Sequence, residues 1–411
     1  MLWVFGELSG IGGFVKQAEA SAGNLRLFIE RKEKIMSDKT SVAKSAGFLA
    51  CFEIASVWFG SHVGGGFASG NQTMQFYVNK GPYAVIFAVI AIAITALVYR
   101  AAWMTAKENG TYEYRSWAVK EYAPTKFMPV LFEICWFFLC LVGIATSIAG
   151  AASLFVEYGA PYILGVVVMA IIITLLCIFG AQLVKKASTV MTVVMAVLML
   201  IIYITCIVKA PAGAYSENVA VLAETQVPMW QQLWSLLKYA GFQSILVGSF
   251  VAVAKSMKTR KDVNMTAIIG FVLNGAMIAL SIVAMISWLG TAQGTTLPIF
   301  TIIQTNLGNG VLKYAYSLVL LLAFISTSTS LTFGSVARFG PLLKPDAKNT
   351  QARDAIISIV FVVAGAAMSM AGLTALVSVG YGWCGVFAVP IIIIPCIIIN
   401  LVRKPKPFVE D

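Results

Sequence analysis

Charged side chains are scarce in this 411-residue chain: Asp, Glu, Lys and Arg make up 11% of it, whereas 59% of its residues are hydrophobic. This composition excludes a soluble globular domain. Apolar runs of about 18 or more residues recur, and each is long enough to cross a bilayer as a helix. The net charge of +11 would suggest nucleic acid in a soluble protein. Here it predicts cationic loops on one side of a membrane, with lipid and no nucleic acid as partner.

Histidine occurs once, as His62, and no Cys-x-x-Cys pair is present. A single histidine excludes a metal site built from several histidines and argues against a His-based catalytic triad. The cysteines all lie in apolar segments, which predicts buried free thiols rather than metal ligands. They are Cys51, Cys135, Cys140, Cys177, Cys206, Cys384 and Cys396. We therefore expect no enzyme, no catalytic residue and no organic cofactor.

The apolar runs predict ten membrane spans. Their expected limits are 45–79, 82–106, 127–156, 161–181, 187–208, 233–257, 263–290, 310–336, 353–372 and 374–402. The distribution of positive charge supports this number. With the N-terminus inside, all but four of the 29 lysines and arginines fall in cytoplasmic segments, the exceptions being Lys80, Lys209, Lys238 and Lys313. The positive-inside rule thus predicts a cell (inner) membrane protein with both termini cytoplasmic.

Ten spans divide into two sets of five, and an odd number makes the second set run opposite to the first. This is the arrangement of an inverted repeat. The predicted repeats are 45–208 and 233–402, joined by an extracellular loop, 209–232. Residues 1–44 are expected to be a cytoplasmic extension, whose part before Met36 resembles an upstream addition. Residues 403–411 are expected to be a cytoplasmic tail.

The first span contains five glycines within residues 60–70. Each glycine costs a helix about 1 kcal/mol relative to alanine, so a break is expected at Val63–Gly66. A break frees carbonyls at the end of one half-helix and N–H groups at the start of the next, which together can hold a cation and an anionic group. The alternative is close helix packing, because Gly60/Gly64 and Gly66/Gly70 are both Gly-x-x-x-Gly pairs.

The inverted repeat predicts a second break in the sixth span. The corresponding stretch is Tyr239–Ile245, in which Gly241 is flanked by polar residues. The alternative is an ordinary helix with a buried glutamine.

The eighth span carries six hydroxyls in the stretch Ser326–Thr332. Hydroxyls are hard oxygen donors that can ligate Na⁺ beside freed carbonyls. They can also bond the carbonyl four residues back in their own helix, which would account for two or three of the six.

Two ionisable residues lie in the first span. Glu53 is two helical turns before Gly60 and is a candidate proton carrier or inner gate. The alternative is a pair with a basic residue of a neighbouring helix. His62, inside the break, could titrate near neutral pH, or could act through its backbone carbonyl.

The first span resembles the first-helix signature of the YkvI-type membrane proteins, in the amino acid–polyamine–cation superfamily. The matching pattern is Gly60-x-x-Val63-Gly64-x-Gly66-Phe67-Ala68-Ser69-Gly70, followed by Gln75-Phe76. The resemblance extends by hydropathy over residues 40–402. It implies the LeuT-like fold of five plus five inverted helices.

The resemblance also implies site residues. Gly60 and Val63 match positions whose carbonyls bind a structural Na⁺ in sodium-coupled members. Ala323-x-x-Ser326-Thr327 matches the pattern that completes that site. His62, Gly64, Gly65 and Gly66 match the family positions that surround the polar head of the substrate. His62 replaces the small residue expected at its position.

Together these features predict a secondary active transporter of a small solute, an amino acid or related metabolite, that works by alternating access and is coupled to Na⁺. The N–H groups of Gly65, Gly66 and Phe67 are expected to bind a carboxylate. Further substrate contacts are expected from Phe242 and Gln243 in the sixth span and from Thr146 and Ser147 in the third. The alternatives are a proton-coupled or uncoupled exchanger of the same fold, and a non-transporting sensor or a channel. The protein is expected to be a monomer or homodimer.

Overall fold

The computed structural model describes residues 45–179, 181–308, 310–343, 350–402 and 406–409. The predicted extension, 1–44, lies outside the described residues, as does most of the predicted tail. Within the described part of the chain, all regular structure is helical. This confirms the predicted all-α class.

The first half of the chain contains nine α-helices among the described residues. Its α-helices are α1 (Phe48–His62), α2 (Gly65–Ala68), α3 (Asn71–Phe76), α4 (Ala84–Asn109), α5 (Tyr114–Glu121), α6 (Met128–Glu157), α7 (Tyr162–Phe179), α8 (Ala181–Val208) and α9 (Ala214–Glu224). A 3-10 turn, Val78–Lys80, follows α3. The helix α9 lies in the predicted extracellular loop, 209–232.

The second half begins with the sixth span. Its α-helices are α10 (Met229–Ile245), α11 (Val247–Phe250), α12 (Arg260–Ser287), α13 (Leu289–Ala292), α14 (Pro298–Ile302), α15 (Gly310–Leu343), α16 (Thr350–Ser369), α17 (Leu373–Ala375), α18 (Gly382–Ala388) and α19 (Ile394–Val402). Val251–Ser256 is a 3-10 helix, and three π-helical segments are present, Ile303–Leu307, Leu376–Tyr381 and Val389–Ile393.

Nine helical segments of the described residues are long and apolar enough to cross a membrane. Each coincides with a predicted span to within about one helical turn at either end. The remaining predicted span, 45–79, is composed of α1, α2 and α3, each of which is too short to be counted by this criterion.

The first span is interrupted at its glycines. The helix α1 ends at His62, and Gly64 has extended backbone (φ −76°, ψ 174°). Gly70 then separates α2 from α3 with a left-handed conformation (φ 82°), which a residue with a Cβ rarely adopts. The start of the span is fixed to α12, because both carboxylate oxygens of Asp262 accept the Ala46 N–H at 3.2 Å.

The same glycines also allow close packing. A Cβ on Gly65 would lie 2.0 Å from the ring of Phe324, and a Cβ on Gly150 would lie 2.2 Å from it. The Phe324 ring is therefore held between α2 and α6. A Cβ on Gly60 would lie 2.6 Å from the Thr192 hydroxyl. The two interpretations of the glycine motif, a break and close packing, thus apply together.

The sixth span differs from the expected break. Gly241 lies inside α10, which remains helical to Ile245. Leu246 also has helical backbone (φ −62°, ψ −13°), and the chain continues through α11 into the 3-10 helix Val251–Ser256. The helix tightens here without an extended residue. Gly241 instead serves packing, since its added Cβ would lie 2.5 Å from the Gly385 carbonyl oxygen.

Replacement of Gly385 by alanine is predicted to lower the thermal stability of the protein. Its Cβ would lie 2.0 Å from the Lys238 carbonyl oxygen. Because backbone must move to relieve this clash, a cost of about 1–3 kcal/mol is expected. The Tm of detergent-purified Gly385→Ala should fall. Gly382→Ala is the matched control in the same helix, since no atom lies within 4 Å of its added Cβ. Equal Tm values for the two variants would contradict the close approach of α10 and α18.

Candidate functional site

A cavity of about 400 Å³ adjoins the break in the first span. One face of α1 lines it, together with parts of α3, α6, α8, α10, α11, α15 and the π-helical segment Leu376–Tyr381. The lining comprises Glu53, Ser56, Val57, Gly60, Ser61, His62, Gly64, Gln72, Leu139, Thr192, Val193, Phe242, Gln243, Leu246, Ser249, Phe250, Ser326, Thr327, Ser330, Leu331 and Tyr381. The cavity therefore runs from the break along the first half of the span.

The two halves of the first span differ in exposure. Before the break, Glu53, Val57 and Ser61 are exposed and line the cavity. After the break, every residue of α2 is buried, and Ser69 is fully buried.

The chain beyond the break is held by hydrogen bonds to other segments of the protein. The Tyr316 hydroxyl donates to the Ala68 carbonyl. The Asn71 amide donates to the Thr296 carbonyl at 2.9 Å and to the Thr374 hydroxyl at 3.0 Å. Among the described residues, the cavity is thus accessible from the end where α1 begins and closed beyond Gln72. The end where α1 begins also carries Arg260 and is called the basic end below.

A chain of hydrogen bonds surrounds His62 at the closed end of the cavity. The Asn274 amide donates to the Gly270 carbonyl at 2.7 Å, so the Asn274 oxygen faces His62 Nδ1, also at 2.7 Å. His62 Nδ1–H therefore donates to Asn274, and His62 Nε2 accepts from the Tyr239 hydroxyl at 2.8 Å. Both ring nitrogens of this buried residue have protein partners. The neutral imidazole is fully satisfied in this arrangement.

The six hydroxyls of α15 divide into two sets. Ser328, Thr329 and Thr332 each donate to the carbonyl four residues back, at 2.7 Å. This is the local use expected for two or three of them. Ser326, Thr327 and Ser330 instead line the cavity.

Thr327 also contacts the break directly. Its hydroxyl accepts the Gly65 N–H at 3.3 Å, and an added Cβ on Gly64 would lie 3.0 Å from it. A side chain of α15 therefore satisfies one of the N–H groups that the break releases.

The predicted cation-binding residues lie where α15 crosses the break. Gly60, Ser326 and Thr327 line the cavity. Val63 and Ala323 are buried behind it, with 1% and 0% of their surface exposed. The fold therefore places these backbone carbonyls and hydroxyls on two adjoining elements, the end of α1 and the middle of α15.

The predicted substrate-binding residues are divided by the fold. His62, Gly64, Phe242 and Gln243 line the cavity. The other predicted residues are buried and absent from its lining: Gly65, Gly66, Phe67, Thr146 and Ser147.

Thr146 and Ser147 are engaged within the protein. Ser147 donates to the Gly143 carbonyl at 2.9 Å, and the Thr146 hydroxyl lies 2.9 Å from the Tyr381 hydroxyl. Tyr381 reaches the cavity in their place, and its ring stacks on Phe242 at 4.6 Å. Nothing in its apolar sequence context distinguished Tyr381. Gln72 was given no role in the sequence analysis.

Glu53 lies in the part of the cavity nearer the basic end. It is exposed, and the salt bridges recorded among the described residues join other partners, such as Arg260 with Glu108 at 2.6 Å. At this position the Glu53 carboxylate can exchange protons with water that enters from the basic end.

The chain matches no protein-family model and no curated protein. Solved structures do match it. A substrate-bound, outward-open structure of a Na⁺-coupled sialic acid symporter matches with a TM-score of 0.57 and 13% identity, over 87% of this chain and 91% of the symporter chain. The Eremococcus coleocola manganese transporter bound to an aromatic bis-isothiourea substituted compound matches with a TM-score of 0.52 and 14% identity, over 87% and 81%.

A variant of the same manganese transporter gives a TM-score of 0.54 and 17% identity, over 85% of this chain and 78% of that chain. The chain has the fold of these transporters. At such identities the likeness concerns the fold, and the roles of individual residues have to be argued from the cavity itself.

The one-sided cavity predicts a contrast in thiol accessibility. Ser61→Cys should react with a membrane-impermeant thiol reagent added from the basic end, because Ser61 is exposed in the cavity. Ser69→Cys should resist it, since Ser69 is fully buried beyond the break. Six native cysteines are buried and Cys177 is half-buried, so the unmodified protein provides the background rate. Comparable labelling of the two variants would show that the cavity does not end at the break.

Proposed function

We propose that this protein is a secondary active transporter of a small organic solute that works by alternating access. The observation that carries the proposal is the cavity, which enters from one end of the bundle and stops at the break in the first span. A solute at that position would be exposed to one side only. Transport then requires the chain beyond Gln72 to open while the first half of the span closes.

The fold supports this function. The solved structures that share it include a Na⁺-coupled sialic acid symporter and a manganese transporter. We further propose that the chain is a YkvI-type member of the amino acid–polyamine–cation superfamily with ten spans in a 5+5 LeuT-like inverted repeat. Its termini would be cytoplasmic, in the cell (inner) membrane, and the protein would be a monomer or homodimer. The basic end would then face the cytoplasm, and the structure would correspond to an inward-facing state.

We propose that the solute is an amino acid or a related metabolite. Amides, hydroxyls and aromatic rings line the closed end of the cavity, and these groups suit an organic molecule with both polar and apolar parts. Phe242 and Gln243 would contact it from α10, with Tyr381 beside them.

Coupling to Na⁺ is proposed at the crossing of α1 and α15. The carbonyls of Gly60, Val63 and Ala323 and the hydroxyls of Ser326 and Thr327 would be the ligands. Such an ion would bind α1 and α15 together. These two helices have to separate when the cavity closes on one side of the membrane and opens on the other. The ion would thereby favour one conformation over the other.

A second candidate for coupling is Glu53. Its carboxylate lines the cavity on the same face of α1 as Gly60. Protonation from the side of the basic end would remove the acidic charge that Glu53 gives to the described part of the lining. The protein would then be a proton-coupled transporter of the same fold.

The sodium site predicts a specific loss of stabilisation. In detergent, NaCl should raise the Tm of the wild type above its value in choline chloride. At 100 times its dissociation constant, Na⁺ should add about 2.7 kcal/mol to the free energy of unfolding. The double variant Ser326→Ala/Thr327→Ala should lose this response, because both hydroxyls would be ligands.

The matched control is Ser328→Ala/Thr329→Ala in the same helix. These hydroxyls bond their own backbone and do not line the cavity, so the sodium response should persist. Equal responses from the two double variants would reject the cation assignment. A wild type that responds to pH through Glu53, and not to sodium, would favour proton coupling.

A further inference from the structure

Another cavity, of about 370 Å³, lies where α5 leads into α6 and where α15 ends, and is called the α5–α6 pocket below. Its lining includes Tyr114, Arg115, Lys126, Val130, Glu133 and Arg338. Among the described residues, it has no lining residue in common with the cavity at the break. The helix α4 leads into α5, and Glu108 in its last turn pairs with Arg260. The α5–α6 pocket therefore lies at the basic end.

Cations outnumber carboxylates in the α5–α6 pocket. Its described lining carries Arg115, Lys126 and Arg338 against the single carboxylate of Glu133, which gives a net formal charge of +2. Glu133 forms a salt bridge with Arg338, whose guanidinium also lies 5.0 Å from the centre of the Tyr114 ring. Arg115 and Lys126 are exposed, and the salt bridges recorded among the described residues join other partners. These two side chains supply the excess charge.

An apolar stripe begins at the same pocket and follows α6 along its length. Val130 lines the pocket, and Phe127, Ile134 and Phe138 lie on the same face, because successive members are three or four positions apart. These four side chains are 47% to 60% exposed. The helix α6 is one of the candidate membrane spans, so exposed apolar side chains on it face lipid chains. The charged pocket and a lipid-facing surface thus adjoin each other.

The ligand that fits these features has to combine negative charge with hydrocarbon. A phosphate suits the exposed cations, because its oxygens accept charge-assisted hydrogen bonds from both arginine and lysine. A phospholipid adds acyl chains, for which the stripe offers an apolar surface. In phosphatidylcholine the choline cation cancels the charge of the phosphate, whereas an anionic headgroup keeps it. A basic pocket at the end of a membrane span therefore favours the anionic lipid.

We propose that the α5–α6 pocket binds the headgroup of an anionic phospholipid. The phosphate lies between Arg115 and Lys126, and the acyl chains follow the stripe on α6. The salt bridge of Glu133 with Arg338 holds the end of α15 at the pocket, so the lipid contacts three helices at once. This site is independent of the solute that the cavity at the break accepts.

Tyr114 connects the α5–α6 pocket to the cavity at the break. A Cβ added to Gly248 would lie 2.5 Å from the Tyr114 ring, so α5 packs directly on α11. The next two residues of α11, Ser249 and Phe250, line the cavity at the break. A lipid headgroup on α5 thus acts one contact away from the cavity wall. It stabilises the described conformation, because it binds an arrangement of helices that unfolding removes.

Mixed micelles separate the anionic phospholipid from a zwitterionic one. Detergent-purified wild type would be melted in micelles that contain dioleoyl phosphatidylglycerol or dioleoyl phosphatidylcholine at the same mole fraction. Phosphatidylglycerol should raise the Tm in a saturable way, and phosphatidylcholine should not. Inorganic phosphate in micelles of detergent alone supplies the anion without acyl chains. At millimolar concentration it should leave the Tm unchanged.

The double variant Arg115→Gln/Lys126→Gln should lower the apparent affinity for phosphatidylglycerol about thirtyfold, because two cations beside the anionic headgroup are removed. Its Tm without lipid should equal that of the wild type, since both side chains are exposed. The matched control is Lys120→Gln/Lys261→Gln, which removes the same charge from exposed residues outside the pocket. This control should respond to phosphatidylglycerol like the wild type.

Three results would each overturn the proposal: an equal shift with phosphatidylcholine, equal responses of the two double variants, or no phosphatidylglycerol shift in the wild type. An equal shift with inorganic phosphate would also overturn it, since the pocket would then hold a soluble anion and not a lipid. A phosphatidylglycerol shift that is lost in Arg115→Gln/Lys126→Gln and kept in Lys120→Gln/Lys261→Gln would support it.

Discussion

Backbone polar groups cannot remain unsatisfied within a bilayer, and the rest of this structure depends on how the break in the first span meets that constraint. The helix stops at His62, so N–H and carbonyl groups near Gly64 lack partners in the same helix. The long helix α15 crosses this point. Its Thr327 hydroxyl accepts the Gly65 N–H, and its Phe324 ring occupies the space that a side chain at Gly65 would need. The break is therefore tolerated because a neighbouring helix covers it.

The cavity follows from this contact. Before the break, α1 presents one face of small and polar residues to open space, whereas after the break α2 is buried and Gln72 reaches the cavity lining. The Tyr316 hydroxyl bond to Ala68 and the contacts of Asn71 close that second half. A site for a solute and a barrier to its further movement thus lie next to each other on one segment. This is the physical basis for the proposal of alternating access.

Much of this architecture could be predicted from the sequence. Long apolar runs predict helices because a bilayer requires internal hydrogen bonding, and clustered glycines weaken a helix wherever they occur. The sequence predicted that two or three hydroxyls of α15 would bond their own backbone, but it did not predict which ones. The side of a helix that faces a cavity depends on the helices packed against it. The hydrogen bond between Thr146 and Tyr381 and the hydrogen-bond partners of His62 could not be predicted either. In each case the partner lies more than 170 positions away in the sequence, and only the packing of the helices brings the two residues together. In the sixth span, Gly241 suggested a break but serves close packing on Gly385, a distinction that requires the neighbouring helix.

The central claim is that the cavity at the break carries a solute across the membrane. Its most direct test is counterflow in proteoliposomes, with amino acids and primary amines as labelled solutes and the same unlabelled solute preloaded inside. The account predicts transient accumulation of at least one labelled solute by the wild type and at least a tenfold loss in Ser61→Trp, because the indole would occupy the cavity. Counterflow that persists unchanged in Ser61→Trp, or its absence for every solute with folded wild-type protein, would contradict the account.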